Sequence, residues 1–510
     1  MEDIRKVALL HKKLHFVILL VIFAAFLIFS PAVFANDEAA INTLMEQMKA
    51  IQARLSERDS ALQKLIEETT ALKNELVKKD AEIKEMKETI AQLGGPQEQK
   101  NDVPQKYQLI DTLPFDVKLG GQYRINSYSV NSGLDGDHPT ASRVRIRQNL
   151  DFIFSEKFNT HLQFELGHTN DNITTTGSSS RRTDISIRHA VMDYTFRNGV
   201  EAKAGILPLS DAFDDILFSS DWDYNPVALS MEKEFGPGRL RVFGAQLNEG
   251  DEPIAHDDFS HYQIDYRFKL AEGLTLNTGV TYADVADAYG THTKPHINYG
   301  LGAMIDLGMG LKAKAILLGS HTDRHLLAAS RDGEGIAAKF EFTGTIGRDR
   351  FGLMGTYASG EHDGTGFIPV MALAKTYGYW GYTGLLTVQG PTDTGFDGDA
   401  VNISNNGHGL TTLQAKYIFA VKDDVDIYIG AGWFGNSRTP DGRSSYLGID
   451  MLTMLTYHFT KILALDAGMA YAHLTDGVSG YSKGVIGGTI FNSDKARDKT
   501  AFFTRLQAEF

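Results

Sequence analysis

Three patterns of apolar and polar residues follow one another along the chain. The first is an uncharged apolar run, Phe16 to Phe29, behind the basic residues Arg5, Lys6, Lys12 and Lys13. The second is a heptad pattern from Ile41 to Leu93. The third fills the rest of the chain from Pro114 onward, where apolar and polar positions alternate with period two between clusters of turn residues. In order, these patterns predict a targeting segment, one long amphipathic helix and a succession of β-strands.

The first run ends in Val33-Phe34-Ala35, which puts small residues at the two positions read by a signal peptidase, so residues 1–35 are expected to be a cleaved secretory signal. The alternative is an uncleaved anchor. In the heptad region one seam is Ile41, Met48, Leu55, Leu62, Thr69, Leu76, Ile83 and Ile90. The other is Leu44, Ile51, Arg58, Leu65, Leu72, Lys79, Met86 and Leu93. Sustained spacing of three and four predicts a coiled coil over 36–93, a rod of about 80 Å. Mixed aliphatic seams favour a trimer over a dimer. Gly94-Gly95-Pro96 ends the rod, and 94–113 reads as a polar linker.

From 114 to 510 the connections alternate between tight and long. The tight ones include Ser155-Glu156-Lys157, Arg197-Asn198-Gly199, Gly236-Pro237-Gly238, Met309-Gly310 and Lys422-Asp423-Asp424. The long ones include 168–184, 207–226 and 360–408, rich in Gly, Asp, Ser and Asn. Eight tight and nine long connections join about 18 antiparallel strands. The expected fold is therefore an all-β transmembrane barrel preceded by an α-helical coiled coil. Short turns would face the periplasm and long loops the outside, which puts the coiled coil in the periplasm. One face of the clear strands is nearly free of charge: Val144, Ile146, Gln148, Leu150, Phe152 and Phe154 in one, Thr160, Leu162, Phe164 and Leu166 in the next. A soluble multi-sheet protein is the rival.

The last strand ends on Phe510, with Ala508, Leu506, Thr504 and Phe502 on its apolar face. A terminal aromatic so placed resembles the closing strand of bacterial outer-membrane barrels, whose final Phe is read by the assembly machinery. Composition agrees with this reading. Cysteine is absent, which removes disulfides, thiolate metal sites and c-type haem attachment. The net charge of −14 argues against general nucleic-acid binding. A mean hydropathy of −0.21 excludes a multi-helix membrane protein but not a barrel, whose strands are only half apolar.

The run Arg188-His189-Ala190-Val191-Met192-Asp193-Tyr194-Thr195-Phe196, followed by Gly205-Ile206-Leu207-Pro208-Leu209-Ser210, resembles the strand–turn–strand segment before the third loop of porins. It is most similar to the alginate-export and phosphate-selective porin groups. The Arg-x-Arg-x-Arg run before it points the same way. Ile206 departs from the common porin form, which has a Gly-Arg-Gln sequence there. The resemblance covers about residues 115–235 and implies a third loop, 207–226, that folds into the barrel and narrows it.

Charged positions then acquire a role. Arg143, Arg145 and Arg147 share one face with Asn149 and Asp151, and each would cost ~2–4 kcal/mol against lipid near the midplane, so this face is expected to line the lumen. The same alternation adds Lys118, Gln122 and Arg124. The third loop carries Asp211, Asp214, Asp215, Asp221 and Asp223. A basic wall facing an acidic loop would set a transverse field across a constriction that screens solutes by charge. His292 and His296 fall in an expected loop and lack a third metal ligand. The acidic clusters Asp135-Gly136-Asp137 and Asp397-Gly398-Asp399 read as solvated turns. No cofactor, metal or catalytic set is expected.

The expected function is a non-enzymatic, water-filled outer-membrane porin for passive diffusion of small hydrophilic or charged solutes. It would be a homotrimer in contact with outer-membrane lipid, with a coiled coil that can reach the cell wall. Two alternatives stand beside it: an export conduit for an acidic polysaccharide, or a sheath for an electron-transfer partner; and a tether from outer membrane to cell wall.

Overall fold

The computed structural model describes residues 115–131, 140–166, 185–218, 225–248, 258–286, 292–327, 329–373, 381–387, 401–405, 407–439, 444–475 and 497–510. The expected signal, coiled coil and linker lie outside the described residues, as do Asp135, Asp137, Asp221, Asp223, Asp397 and Asp399. Residues 107–510 form a compact unit of their own.

The described residues contain eighteen strands. The first six are β1 (Asp116–Asn131), β2 (Thr140–Ser155), β3 (Phe158–Leu166), β4 (Ile185–Thr195), β5 (Glu201–Ile206) and β6 (Val227–Phe235). Next come β7 (Gly238–Asn248), β8 (Phe259–Ala271), β9 (Leu274–Ala286), β10 (Thr293–Gly308), β11 (Leu311–Thr322) and β12 (Gly333–Ile346). The last six are β13 (Asp349–Ala358), β14 (Leu410–Lys422), β15 (Val425–Asn436), β16 (Tyr446–His458), β17 (Leu463–Leu474) and β18 (Arg497–Glu509). A four-residue helix, α1 (Val370–Leu373), lies between β13 and β14.

Each strand pairs antiparallel with its sequence neighbours, and β1 also pairs with β18, so the sheet closes on itself. Closure removes both sheet edges. The seam is finished by the chain end, where the Gly121 amide donates to the Phe510 carbonyl at 2.8 Å and the Phe510 amide to the Gly121 carbonyl at 3.1 Å. The Phe510 ring meets Tyr123 edge-on at 5.4 Å. Connections are tight after the even-numbered strands from β2 to β16 and long after the odd-numbered ones. All tight turns therefore sit at one end of the barrel.

Alternation sets the faces. Along β1, Leu119, Tyr123 and Ile125 are exposed whereas Arg124 and Asn126 are buried. Exposed Val227, Leu229 and Met231, and exposed Tyr299 and Leu301, repeat this around the wall. Buried Gln163, Gln263, Thr281, Asn298 and Gln414 point the other way. A water-soluble sheet protein buries its apolar face; here the apolar face is outside and the polar face inside, the arrangement that a lipid surround requires. Outer aromatics also cover neighbouring backbone. A Cβ on Gly319 would come within 2.3 Å of the Tyr299 ring, so glycine there is what lets the ring lie flat on the next strand.

At the long-loop end the interior carries apolar side chains, and two long loops pack onto them. Leu385, Leu386 and Val401 join Tyr128, Phe434, Leu452 and Phe503 in one cluster. Phe213, Ile216 and Leu217 join Ile316, Leu318 and Phe367 in another. One expectation changes here. His296 lies within β10, buried, with its ring nitrogens 2.9 Å from Thr322 Oγ1 and 2.9 Å from Asn298 Oδ1. The ladder to β9 extends back through Pro295 to Thr293, which lengthens the strand past the point where sequence alternation fades.

Candidate functional site

The cross-strand register of β18, β1 and β2 stacks the predicted basic residues in rungs on the inner wall. Arg505, Asn126 and Arg143 align in one rung, Gln507, Arg124 and Arg145 in the next, and Glu509, Gln122 and Arg147 in a third. Neighbouring amides aim the guanidinium groups. Arg124 Nε donates to Gln507 Oε1 at 2.8 Å, and Arg145 donates to Gln122 Oε1 at 2.7 Å. A glutamine fixes orientation without adding a countercharge. Carboxylates hold the two flanks, Glu165 at 2.5 Å from Arg147 and Asp466 at 2.8 Å from Arg505. Arg143 lies over the Tyr128 ring at 5.2 Å. Lys118 is on the same face nearer the tight turns, exposed, and makes no ion pair among the described residues.

Arg188 extends the wall by an irregular route. The β3–β4 register shifts between Gln163 and Phe164, so Arg188 is an extra residue, a β-bulge. The bulge buries both Arg188 and His189, which regular alternation would put on opposite faces. Arg188 donates to Gln163 Oε1 at 3.0 Å, and His189 Nε2 is 3.2 Å from Asn225 Oδ1. Sequence reasoning recognised this run but had no means to see the bulge.

The third loop, described over 207–218 and 225–226, leaves the short strand β5 and crosses to the wall formed by β7 to β12. Arg241 donates to the Ser210 carbonyl at 2.8 Å, and the Asn277 side chain donates to the Ala212 carbonyl at 3.1 Å. Its three described acidic residues behave differently. Asp211 is buried, and its carboxylate accepts the backbone N–H groups of Phe213 (2.5 Å), Asp215 (3.2 Å), Leu217 (2.5 Å) and Phe218 (2.9 Å). It organises the loop rather than the pore. Burial pushes its carboxyl up to about 6, against the amides of Phe218, Phe213 and Leu217, which favour the anion. Asp214 and Asp215 adopt positive φ, 65° and 58°, which turns the chain sharply. The Asp214 carboxylate accepts from both Lys314 and Lys339. Burial opposes its ionisation, but the two ammonium groups outweigh burial and hold it below the usual carboxylate range. Asp214 therefore contacts a lysine pair on β11 and β12, not the arginines of β2.

That second basic group was not singled out from the sequence. Lys314, Lys339 and Lys416 face inward around Glu341, and Lys416 sits 4.0 Å from the Tyr382 ring centroid. Tyr382 belongs to the loop between β13 and β14, which also turns inward. Asn298 Nδ2 donates to the Ile368 carbonyl at 2.8 Å, and buried Asp450 accepts from the amides of Leu385 at 2.8 Å and Leu386 at 2.5 Å. The two loops touch where the Met371 amide donates to the Leu217 carbonyl at 2.9 Å. The apolar residues Phe367, Ile368, Leu385 and Leu386 inside a Gly-rich loop were the available signal that it is buried.

No family model matches the chain, and no curated protein matches it. Among solved structures, the chain is similar to Pseudomonas aeruginosa OccK8 (OprE), with 13% identity over 78% of this chain and 98% of that one and a TM-score of 0.50. It is similar in the same measure to Pseudomonas aeruginosa OccK5 (OpdH), with 13% identity, 78% and 98% coverage and a TM-score of 0.50. The narrower resemblance to alginate-export and phosphate-selective porins gains nothing from these matches. At this identity the likeness is one of architecture: the described residues have the barrel fold of these two Pseudomonas aeruginosa proteins.

Proposed function

We propose that the protein is an outer-membrane porin, a passive channel for small polar solutes whose inner arginine wall favours anions. The observation that carries this reading is the stack of Arg124, Arg143, Arg145 and Arg147 on the inner face, next to Arg505 and Arg188, with glutamines as orienting partners. An apolar outer surface supports the membrane location, and barrels of 16–18 strands are wide enough to hold water. Two inserted loops narrow the lumen, so solutes pass close to the arginines, where charge is screened less than at the outer loops. There is no chemical turnover. Single-channel conductance with reversal potentials, measured on purified protein under a salt gradient, tests this. A non-conducting barrel, or one with cation preference, overturns it.

The homotrimer, the signal at 1–35 and the periplasmic coiled coil at 36–93 belong to the same proposal and rest on the sequence pattern alone. The coiled coil gives a route to cell-wall contact. A sheath around a threaded partner is the weaker reading, because two loops of the chain itself already occupy the interior.

A further inference from the structure

Below the arginines on the same wall, toward the tight-turn end, β1 to β7 and the start of the third loop line a cavity of about 420 Å³. Its chemistry differs from that of the wall above it. Three cations line it, Lys118, Lys203 and Arg241, together with three carboxylates, Asp151, Asp193 and Glu232. The register puts each cation directly across the ladder from one carboxylate: Lys118 from Asp151, Lys203 from Asp193, Arg241 from Glu232. The lining thus has balanced charge, alternating in sign.

Arg241 is held by Asp265 at 2.9 Å and Glu232 by Arg239 at 2.6 Å, but the other two cross-ladder pairs are not locked together. Lys203 Nζ stands 3.6 Å from Asp193 Oδ2, beyond hydrogen-bond distance, and both side chains are part-exposed. Lys118 is exposed and without an ion pair among the described residues. Asp151 is held from one side by His161 Nδ1 at 2.6 Å and keeps a part-exposed carboxylate. One side of the cavity is apolar, made by Val191, Leu207 and Leu209. A simple anion here meets the carboxylates of Asp151 and Asp193, and a simple cation meets Lys118 and Lys203. A solute carrying both charges a few ångströms apart satisfies both sets at once, and the apolar side receives an aliphatic substituent.

We propose that this cavity is a transit binding site for small zwitterions of the α-amino acid class with an aliphatic side chain. The ammonium group faces Asp193 and Asp151, the carboxylate faces Lys203 and Lys118, and the side chain lies on Leu207 and Leu209. This deepens the porin reading and rests on it. Solutes drawn along the arginines by their carboxylates are then sorted by whether they also carry a cation.

The test is current block of the full-length protein in planar bilayers at fixed KCl. The probes are L-leucine, 4-methylpentanoate, which is leucine without its ammonium group, and isoamylamine, which is leucine without its carboxylate. L-leucine is expected to block saturably and at lower concentration than either single-charge analogue. Replacing both Asp151→Asn and Asp193→Asn should raise the half-blocking concentration of leucine about five- to tenfold, the size of a lost charge-assisted hydrogen bond, and leave that of 4-methylpentanoate unchanged or lower. K118Q with K203Q should weaken both carboxylate-bearing probes. If 4-methylpentanoate blocks the unmodified protein as well as leucine does, or if the aspartate pair does not alter leucine block, the site is wrong. The analogue comparison on unmodified protein needs no variant to fold. Absence of KCl current overturns the porin reading; KCl current without leucine block overturns this site alone.

Discussion

Lys339, on the inner face of β12, donates to the carboxylate of Asp214, 125 residues earlier in the chain and at the tip of the third loop. Lys314 donates to the other oxygen of the same carboxylate. Together they latch the loop across the lumen. Asp214→Asn, or K314Q with K339Q, should release the latch at a cost of roughly 1–3 kcal/mol, below the range for a fully buried pair because Asp214 and Lys314 are part-exposed. The readout is open-channel noise and sub-state frequency in single-channel recordings, which should rise alike in both variants. Unchanged noise would mean that the apolar contacts of Phe213 and Leu217 hold the loop unaided.

Replacing Arg143, Arg145 and Arg147 together with Ser should raise conductance and move the reversal potential toward cations. The structure sharpens the complementary experiment. Asp211 is turned into its own loop, so an effect of Asp211→Ser would come from loop unfolding, whereas Asp215→Ser removes a part-exposed charge of that loop. A reversal potential that ignores the arginine triple variant removes the charge-screening mechanism.

Asp211 also gives the third loop a pH dependence. Its carboxyl is raised from 3.8 to about 6, so the folded loop holds the proton more tightly than the unfolded chain. That contribution is fully present below pH ~4 and is lost as pH rises through about 6, a swing on the order of 3 kcal/mol. Hydrogen exchange at the amides of Phe213, Leu217 and Phe218, corrected for intrinsic rate, should show protection falling between about pH 5 and about pH 7. In Asp211→Asn the titration is gone, and because an amide NH2 cannot accept, two of the four backbone bonds are lost. Protection there should be independent of pH. Flat behaviour of the unmodified protein would count against the raised carboxyl.

Deleting Phe510 removes both backbone bonds to Gly121 and the ring contact with Tyr123 at the seam. The amount of heat-modifiable folded barrel recovered from cells should fall. Full recovery would show that the β1–β18 ladder registers without its last residue.

A peptide spanning residues 38–93 should be helical and oligomeric at micromolar concentration, with a trimer favoured over a dimer. Sedimentation of a monomeric, unstructured peptide would remove the coiled-coil trimer.

The strands were legible because their signal is local. Val144-Arg145-Ile146-Arg147 states both faces within four residues, and Gly236-Pro237-Gly238 states a turn within three, so strand count and facing could be read without tertiary information. Loop placement could not, because what holds it is remote. The partners of Asp214 lie 100 and 125 residues away, and nothing in its own neighbourhood names them. Asp211 looked like Asp214 in sequence, yet one caps backbone amides and the other, itself at positive φ in the turn with Asp215, binds lysines. At Arg188 the period-two rule itself gave way to a bulge.

Closure of the cylinder has a consequence for how the chain can be made. Its first and last strands must meet across a separation of 383 residues, as Arg124 and Gln507 do, and the loops that fill the interior lie between those strands in sequence. Entropy makes such a contact among the slowest to form, so the last event in assembly is the zipping of a wall around contents already inside it. A defect in the contents is therefore felt before there is any channel to measure. Variants of Phe213 or Leu386 should first appear as chains stalled with an open seam and degraded, and only the survivors would report a change in conduction.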